Sequence, residues 1–232
     1  MRQISDKELI HERLGVAFEE ALSEYDTARR IEVLIDRFLG HIDLKGASVL
    51  DVGCGLGFFS RALRSRGADV LACDIGQELV ERVRKTVGCE CVRADALALV
   101  EQFGVQSFDV VLSSECIEHT PSPQKALHQM ARVLKSGGLL AVSTPNVAWY
   151  PVVKLATLAK ARPFNGLENF STFGSIRRAL EREGLRVIEE QGLHLIPFQF
   201  KCFRMSRWCD EHLQALRFLM INLCVLAEKA PA

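Results

Sequence analysis

The residues of this sequence that could carry out acid–base chemistry are first of all two of its histidines. His119, beside Glu118, and His194 each follow a predicted strand. An imidazole titrates near neutral pH, so either could act as the general base that takes a proton from a bound acceptor. His119 could equally hold its loop through backbone hydrogen bonds, and Glu118 could orient a histidine or cap the following turn.

A glycine-rich loop supplies a second kind of chemistry, the binding of a nucleotide. The segment Asp51-Val-Gly-Cys-Gly-Leu-Gly57 follows a predicted strand and opens a helix. Gly53 permits a tight turn, Gly55 lets a ligand approach the backbone, and Gly57 lets the helix pack close to the strand. A dinucleotide site would have a glycine where Phe58 stands, and a P-loop would need Gly-Lys-Ser/Thr. The pattern is instead typical of S-adenosylmethionine sites.

Two further carboxylates follow neighbouring predicted strands. Asp74, which with Ile75 follows the second strand, is placed to accept hydrogen bonds from ribose hydroxyls. Asp95, followed by Ala96, comes after the third strand, where its carboxylate could accept from an adenine amino group. A helix N-cap is an equally good interpretation of Asp95.

The elements that must position these residues alternate from residue 47 onward. Helical patterns over 58–66, 78–86, 123–135 and 171–183 separate short apolar runs. The predicted strands are residues 47–52, 68–73, 90–93, 108–113, 139–144, 185–190 and 221–227. Strands separated by helical crossovers predict an α/β fold with a mostly parallel sheet, whose ligands bind at the carboxyl ends of the strands.

The N-terminal segment, residues 1–46, is predicted to form helices ahead of a domain over 47–232. One amphipathic helix spans 6–24, and Asp26 or Thr27 could cap a second one. The buried stripe of the second helix would be Ile31, Leu34, Ile35 and Phe38, and Gly40 would end it.

Several segments together resemble a known enzyme family. They are Val49-Leu-Asp-Val-Gly-Cys-Gly-Leu-Gly57, Phe108-Asp-Val-Val-Leu-Ser-Ser-Glu-Cys-Ile-Glu-His119, Leu134-Lys-Ser-Gly-Gly138, Ser143-Thr-Pro-Asn146 and Gly192-Leu-His194. Over roughly residues 47–145 the sequence resembles the class I S-adenosylmethionine-dependent methyltransferases. The resemblance is greatest to the branch that contains the ubiquinone-biosynthesis O-methyltransferases.

This resemblance implies a Rossmann-like, doubly wound sheet of seven strands, mostly parallel, with the last strand antiparallel. It also implies an S-adenosylmethionine site, with Cys116 where the branch has a hydrophobic residue beside the adenosyl group. In that branch an arginine at the position of Arg30 touches the cofactor carboxylate, whereas a solvated helix start is the alternative interpretation. The predicted cofactor contacts are Arg30, Asp51, Gly53, Cys54, Gly55, Asp74, Ile75, Asp95, Ala96 and Cys116.

Residues 145–170 form a predicted insert that covers the substrate, because this connection is too long for an ordinary loop. Trp149, Tyr150 and Phe170 could stack on an acceptor, and aromatic packing is the alternative. Both the segment after Asn146 and residues 194–217 depart from the family pattern, so they are expected to determine the acceptor.

Composition narrows the class of protein. Lysine plus arginine equals aspartate plus glutamate at 29 each, so no net field favours nucleic acid. The N-terminus has no apolar core of a signal peptide, and no apolar run would span a bilayer. A weak interfacial helix over 152–161 leaves membrane association as a minor alternative. The eight cysteines lack paired Cys-x-x-Cys units, which argues against a metal site and favours a reducing cytoplasm.

The sequence therefore predicts methyl transfer from S-adenosylmethionine to an oxygen of a small or medium organic acceptor. Methylation of nitrogen or carbon and non-catalytic binding of the cofactor remain alternatives, and the glycine spacing disfavours an NAD-dependent oxidoreductase. The sequence does not indicate the oligomeric state.

Overall fold

The computed structural model describes residues 24–158 and 167–231. The helix predicted over residues 6–24 therefore lies outside the described residues except for its last position. The middle of the predicted insert, 159–166, lies outside them as well.

Seven strands form one sheet in the order β3-β2-β1-β4-β5-β7-β6. Its strands are β1 (Ser48–Val52), β2 (Asp69–Asp74), β3 (Glu90–Arg93), β4 (Phe108–Ser114), β5 (Leu134–Pro145), β6 (Leu185–Leu193) and β7 (Asn222–Lys229). The pairs from β3 across to β5 are parallel, whereas β7 runs antiparallel to both β5 and β6. The predicted fold class, with its antiparallel last strand, is confirmed.

Helices cover both faces of the sheet. They are α1 (Glu24–Ile31), which continues as a π-helical segment (Glu32–Arg37), α2 (Phe58–Ser65), α3 (Gln77–Thr86), α4 (Leu99–Phe103), α5 (Pro123–Val133), α6 (Tyr150–Leu158), α7 (Phe173–Glu181) and α8 (Phe203–His212). Helices α1–α3 contribute to the apolar core on one face, and α4, α5 and α7 to the core on the other. The sheet is therefore doubly wound, and the chain reverses its direction across the sheet between β1 and β4.

The N-terminal stripe packs into the core of the sheet. Leu34, Ile35 and Phe38 are completely buried in the cluster that also holds Val49 and Leu63. The described end of the predicted N-terminal helices thus shares one hydrophobic core with the sheet.

Three predicted helix boundaries are wrong, and a tertiary contact explains the first of them. The helix predicted to reach residue 135 ends at Val133, because Leu134 pairs with Phe108 as the first residue of β5. The N-cap of α7 is Thr172 rather than Ser171, in a capping box with Ser175. Asp26 caps no helix, since it lies inside α1 with Thr27.

Candidate active site

A cavity opens at the carboxyl ends of β1–β4, where the direction of the chain across the sheet reverses. Ligands of open α/β sheets bind at such a switch point. Seven of the predicted cofactor residues line this cavity: Gly53, Gly55, Asp74, Ile75, Asp95, Ala96 and Cys116. The three others, Asp51, Cys54 and Arg30, do not.

The glycine loop is shaped by close approaches that only glycine allows. Gly53 has φ +73°, and a Cβ there would lie 2.6 Å from Cys116 Cβ, on the segment that follows β4. A Cβ on Gly57, at φ +77°, would lie 2.7 Å from Val87 Cγ2. The third glycine therefore lets α2 begin close against the end of α3, and the predicted close contact with the strand is corrected.

Asp74 is fixed in place by the loop itself. Its carboxylate accepts hydrogen bonds from the Gly55 N–H, at 3.0 Å, and from the Gly76 N–H, at 2.9 Å. Each oxygen of a carboxylate can accept more than one hydrogen bond, so the same group could also accept from ligand hydroxyls. The side chain lines the cavity and is thus oriented before any ligand binds.

Asp95 combines a local turn with a position on the cavity wall. Its Oδ1 accepts from the Leu97 N–H at 2.9 Å, which is an Asx turn. The helix-cap interpretation is wrong, because α4 begins later and its cap position is Ala98. Asp95 and Ala96 line the cavity at the end of β3. Glu115 lines it at the end of β4, and β2 and β1 lie between these two strands.

Asp51 and Cys54 support the loop from behind. The Ser60 hydroxyl donates a short hydrogen bond to Asp51, and burial raises the pKa of this carboxyl to about 6. Cys54 Sγ lies 3.7 Å from Cys91 Sγ in the core. Both side chains tie the end of β1 to neighbouring elements and do not face the cavity.

Arg30 is buried, so the interpretation as a solvated helix start is wrong. Its side chain is 5 % exposed, and the guanidinium donates to Asp26 Oδ2 from Nε, at 3.1 Å, and from Nη2, at 2.8 Å. Nη1 donates to the Ser114 hydroxyl at 2.7 Å. Arg30 lies one layer behind the cavity wall, and its contact with a cofactor carboxylate stays a prediction.

The sequence did not single out Glu115, which lines the cavity directly after β4. It has φ +51°, a conformation that is uncommon for a residue with a side chain. The Ser143 hydroxyl donates to its Oε1 at 3.0 Å. Burial and the neighbouring Glu118 raise the pKa of Glu115 to about 7, against the opposing charge of Arg30. An acidic residue at the end of β4, at the switch point, was the signal that could have identified it.

His119 lines the cavity and holds its loop at the same time. Its Nδ1 lies 2.9 Å from the Leu167 carbonyl oxygen, so this nitrogen carries the proton that the carbonyl accepts. In the neutral ring, Nε2 is then the acceptor, and it lies 3.8 Å from Glu118 Oε1. Burial raises the pKa of Glu118 to about 7, and the Thr144 hydroxyl binds its other oxygen at 3.1 Å.

His194 does not line the cavity. Its side chain is completely buried, and Nε2 lies 2.9 Å from Asp26 Oδ1. A general base must reach the proton that it removes, so in this conformation the structure does not support His194 as the base.

The predicted substrate aromatics do not line the cavity. The Trp149 Nε1–H donates to the Leu219 carbonyl at 2.8 Å, and Tyr150 stacks edge to face with Phe170 at 5.6 Å. Next to Phe170, the backbone N–H of Asn169 donates to the Glu118 carbonyl at 2.8 Å. The end of the insert is therefore fastened to the segment that carries His119.

Across residues 24–158 and 167–231, no group of three or more histidine, cysteine, aspartate or glutamate side chains is arranged to hold a metal ion. In the same residues, every helix is too short or too polar to cross a bilayer.

A doubly wound sheet with a glycine loop after β1 and an acidic residue after β2 defines a nucleotide-binding α/β protein. Comparison with known proteins narrows this class, because the sequence profile of the methyltransferase domain family matches residues 23–190. The chain belongs to this family and is an S-adenosylmethionine-dependent methyltransferase, as its sequence predicted.

Similar proteins support this assignment. A ubiquinone biosynthesis O-methyltransferase from Coxiella burnetii is 31 % identical over 180 residues, which cover 72 % of this chain and 74 % of that protein. A protein with the same name from Xanthomonas oryzae is 41 % identical over 119 residues, or 49 % of each chain. The crystal structure of an S-adenosylmethionine-dependent methyltransferase from Mesorhizobium loti has a TM-score of 0.62 at 22 % identity, over 81 % of this chain and 93 % of that one. The last comparison supports the fold.

Proposed function

We propose that this enzyme transfers the methyl group of S-adenosylmethionine to an oxygen of a small or medium organic acceptor. The observation that carries the proposal is the pair of titratable side chains, Glu115 and His119, on one wall of the cofactor cavity. The O-methyltransferase names of the relatives from Coxiella burnetii and Xanthomonas oryzae agree with it.

The hydrogen-bond acceptors that line the cavity fit the cofactor. Asp74 can accept hydrogen bonds from ribose hydroxyls, and Asp95 can accept from the adenine amino group. The position of Gly53 against Cys116 brings loop backbone to the cavity surface without a side chain between. When bound, S-adenosylmethionine supplies the methyl group on a positively charged sulfur, and the protein supplies position and electrostatics.

The residues on the β4 side are suited to an acceptor that loses a proton. His119 presents Nε2 as an acceptor because Nδ1 is committed to the Leu167 carbonyl. Glu115 has a pKa of about 7, so a large fraction of it is ionised at neutral pH. Either group could take the proton of a hydroxyl as the oxygen attacks, and we favour His119 because its tautomer is fixed.

The acceptor would enter between this wall and the end of the insert. Asn169 bonds to the Glu118 carbonyl, and its side chain donates to the Thr120 carbonyl at 2.7 Å. Phe170 follows directly, and Tyr150 packs on it. These contacts support an acceptor site bordered by the aromatic side chains that the sequence indicated.

We also propose a cytoplasmic location. Six cysteines are buried in the fold as free thiols, and Cys116 lines the cofactor cavity. Free thiols in these positions persist in a reducing compartment.

A panel assay tests the proposed reaction. Purified protein is incubated with methyl-labelled S-adenosylmethionine and separate sets of phenols, aliphatic alcohols, carboxylic acids and amines. Label in an ether or ester product supports O-methylation. Label found in amines alone would contradict it, and S-adenosylhomocysteine binding without transfer to any acceptor would favour the non-catalytic alternative.

A further inference from the structure

A buried network of ion pairs and hydrogen bonds connects the end of β6 to α1. His194 Nε2 lies 2.9 Å from Asp26 Oδ1, and the other oxygen of Asp26 accepts two hydrogen bonds from Arg30, at 2.8 and 3.1 Å. Each of the three residues is less than 10 % exposed. Burial opposes the ionisation of Asp26, yet Arg30 and the bond from His194 hold the pKa of its carboxyl below the usual range. The pair is thus a carboxylate and a guanidinium oriented by a neighbouring imidazole.

The buried network continues from Arg30 to the cavity wall. Nη1 of Arg30 donates to Ser114 Oγ at 2.7 Å, and Ser114 Oγ lies 3.0 Å from Ser143 Oγ. Ser143 in turn donates to Glu115 Oε1 at 3.0 Å. Four hydrogen-bonded steps therefore separate Asp26 from a carboxylate that faces the cofactor cavity.

The residues at both ends of this network, His194 and Glu115, have unusual backbone conformations. His194 has φ +64° and Glu115 has φ +51°. Asp210 Oδ1 stabilises the turn at His194 by accepting from the N–H groups of His194, at 2.9 Å, and Leu195, at 3.2 Å. A left-handed conformation is strained for a non-glycine residue, and such residues cluster where function needs a fixed geometry.

We infer that His194 is a positioning residue that, through Asp26, holds the guanidinium of Arg30 behind Glu115. The inference rests on the proposed function, because the state of Glu115 matters for catalysis only if the cavity binds the reacting groups. It gives a role to a histidine that the sequence indicated as a base and the structure places away from the cavity.

The charges around Glu115 decide what loss of this support would do. Arg30 and Asp26 face it from α1, Glu118 from the 3₁₀ turn that follows β4, and Cys224 from β7. Burial, Glu118 and Asp26 raise the pKa of Glu115, whereas the charge of Arg30 and a hydrogen bond with the Asn222 side chain lower it. If Asp26 no longer holds Arg30 in place, the positive charge of the guanidinium moves away from Glu115. The pKa of Glu115 then rises.

Two amide variants separate positioning from structural support. His194→Gln places a donor near the position of Nε2 and can still bind Asp26, whereas His194→Asn places its amide near Nδ1 and cannot reach. Carboxyl carbons of ¹³C-labelled glutamate are followed by NMR as a function of pH, and the signal of Glu115 is assigned with Glu115→Gln. We expect the pKa of Glu115 to rise by about one unit in His194→Asn and to stay near the wild-type value in His194→Gln.

The controls make each outcome decisive. His128→Asn removes a surface histidine, paired with Glu183 at 2.8 Å, and should leave Glu115 unchanged. If neither His194 variant folds, Arg30→Gln tests the same link and should raise the pKa of Glu115. An equal shift in both His194 variants, no shift in His194→Asn, or no shift in Arg30→Gln would overturn the inference. Calorimetry with S-adenosylhomocysteine is run in parallel, because failure of the wild type to bind would reject the proposed function independently of the titration.

Discussion

Asp74 is the residue that tests the cofactor site most directly. Two backbone N–H groups fix its carboxylate at the cavity wall, so a ligand hydroxyl would gain charge-assisted hydrogen bonds without first ordering the side chain. Asp74→Ala should weaken binding of S-adenosylhomocysteine by roughly 1.5–3 kcal/mol in calorimetry. Asp69→Ala, at the exposed other end of β2, is the matched control. Equal affinities of the two variants would remove Asp74 from the site.

His119 tests the chemical step. The imidazole must be neutral to accept a proton, so the transfer rate should rise as the pH increases through the pKa of the base. His119→Asn can keep a donor toward the Leu167 carbonyl, yet it loses the acceptor at Nε2. We expect transfer to slow by roughly 10²–10⁴-fold and the pH dependence to flatten, with the affinity for S-adenosylhomocysteine almost unchanged.

Glu115→Gln is the matched variant for that experiment, because Glu115 lies on the same wall and its pKa is about 7. If only Glu115→Gln flattens the pH dependence, the glutamate is the base. If both variants retain it, the acceptor reacts without a protein base, as an ionised phenol or a carboxylate would.

Glu118 links the site to stability. Burial raises the pKa of this carboxyl to about 7, above its ordinary value of 4.5, so the folded state binds the proton more tightly than the unfolded chain. This contribution is fully present below about pH 4.5 and is lost as the pH rises through 7. Glu118→Gln should therefore gain stability relative to the wild type at pH 8, on the order of 1–3 kcal/mol, and little at pH 5. Urea unfolding at both pH values measures this, with the exposed Glu78→Gln as control.

The end of the insert, residues 167–170, is an element whose attachment can be measured. Asn169 makes two hydrogen bonds to the Glu118–Thr120 segment, one from its backbone and one from its side chain. Asn169→Ala removes the side-chain bond, so backbone amide exchange around residue 169 should speed up while exchange in β1 and β4 stays the same. Unchanged exchange around residue 169 would show that the backbone bond alone fixes the segment.

The sequence predicted those elements whose pattern is local. Hydrophobic periodicity located all seven strands, and the glycine loop with Asp74 could be assigned because its spacing follows from one βα turn. The end of α5 could not be predicted, because it depends on the pairing of Leu134 with Phe108. A boundary set by a tertiary contact has no signature in the residues on either side of it.

Contacts between distant parts of the sequence also explain why the burial of Arg30 and His194 was not predicted. Arg30 and Ser114 are 84 positions apart in the sequence, and His194 and Asp26 are 168 apart. The burial of Arg30 and the contacts of the Arg30–Asp26 pair with Ser114 and His194 exist only once α1 packs against the ends of β4 and β6. Sequence position beside a strand end placed His119 and His194 on the same edge of the sheet. His119 lines the cavity there, whereas His194 turns into the core.

The position of the last strand has a consequence for the biosynthesis of the molecule. β7 lies between β5 and β6 and pairs with both along nearly its whole length, from Asn222 to Lys229. The ribosome makes β7 after β5 and β6, so the nascent chain carries two unpaired edges, of β5 and β6, until β7 has been made. Unpaired strand edges are templates for association with other chains. A chain that stops after Met220 should accumulate in the insoluble fraction of an expressing cell, whereas one that stops after Lys229 should be as soluble as the 232-residue chain. The sheet can thus close only after β7 has been made, and nascent chains that stall before β7 would depend on chaperones to stay out of aggregates.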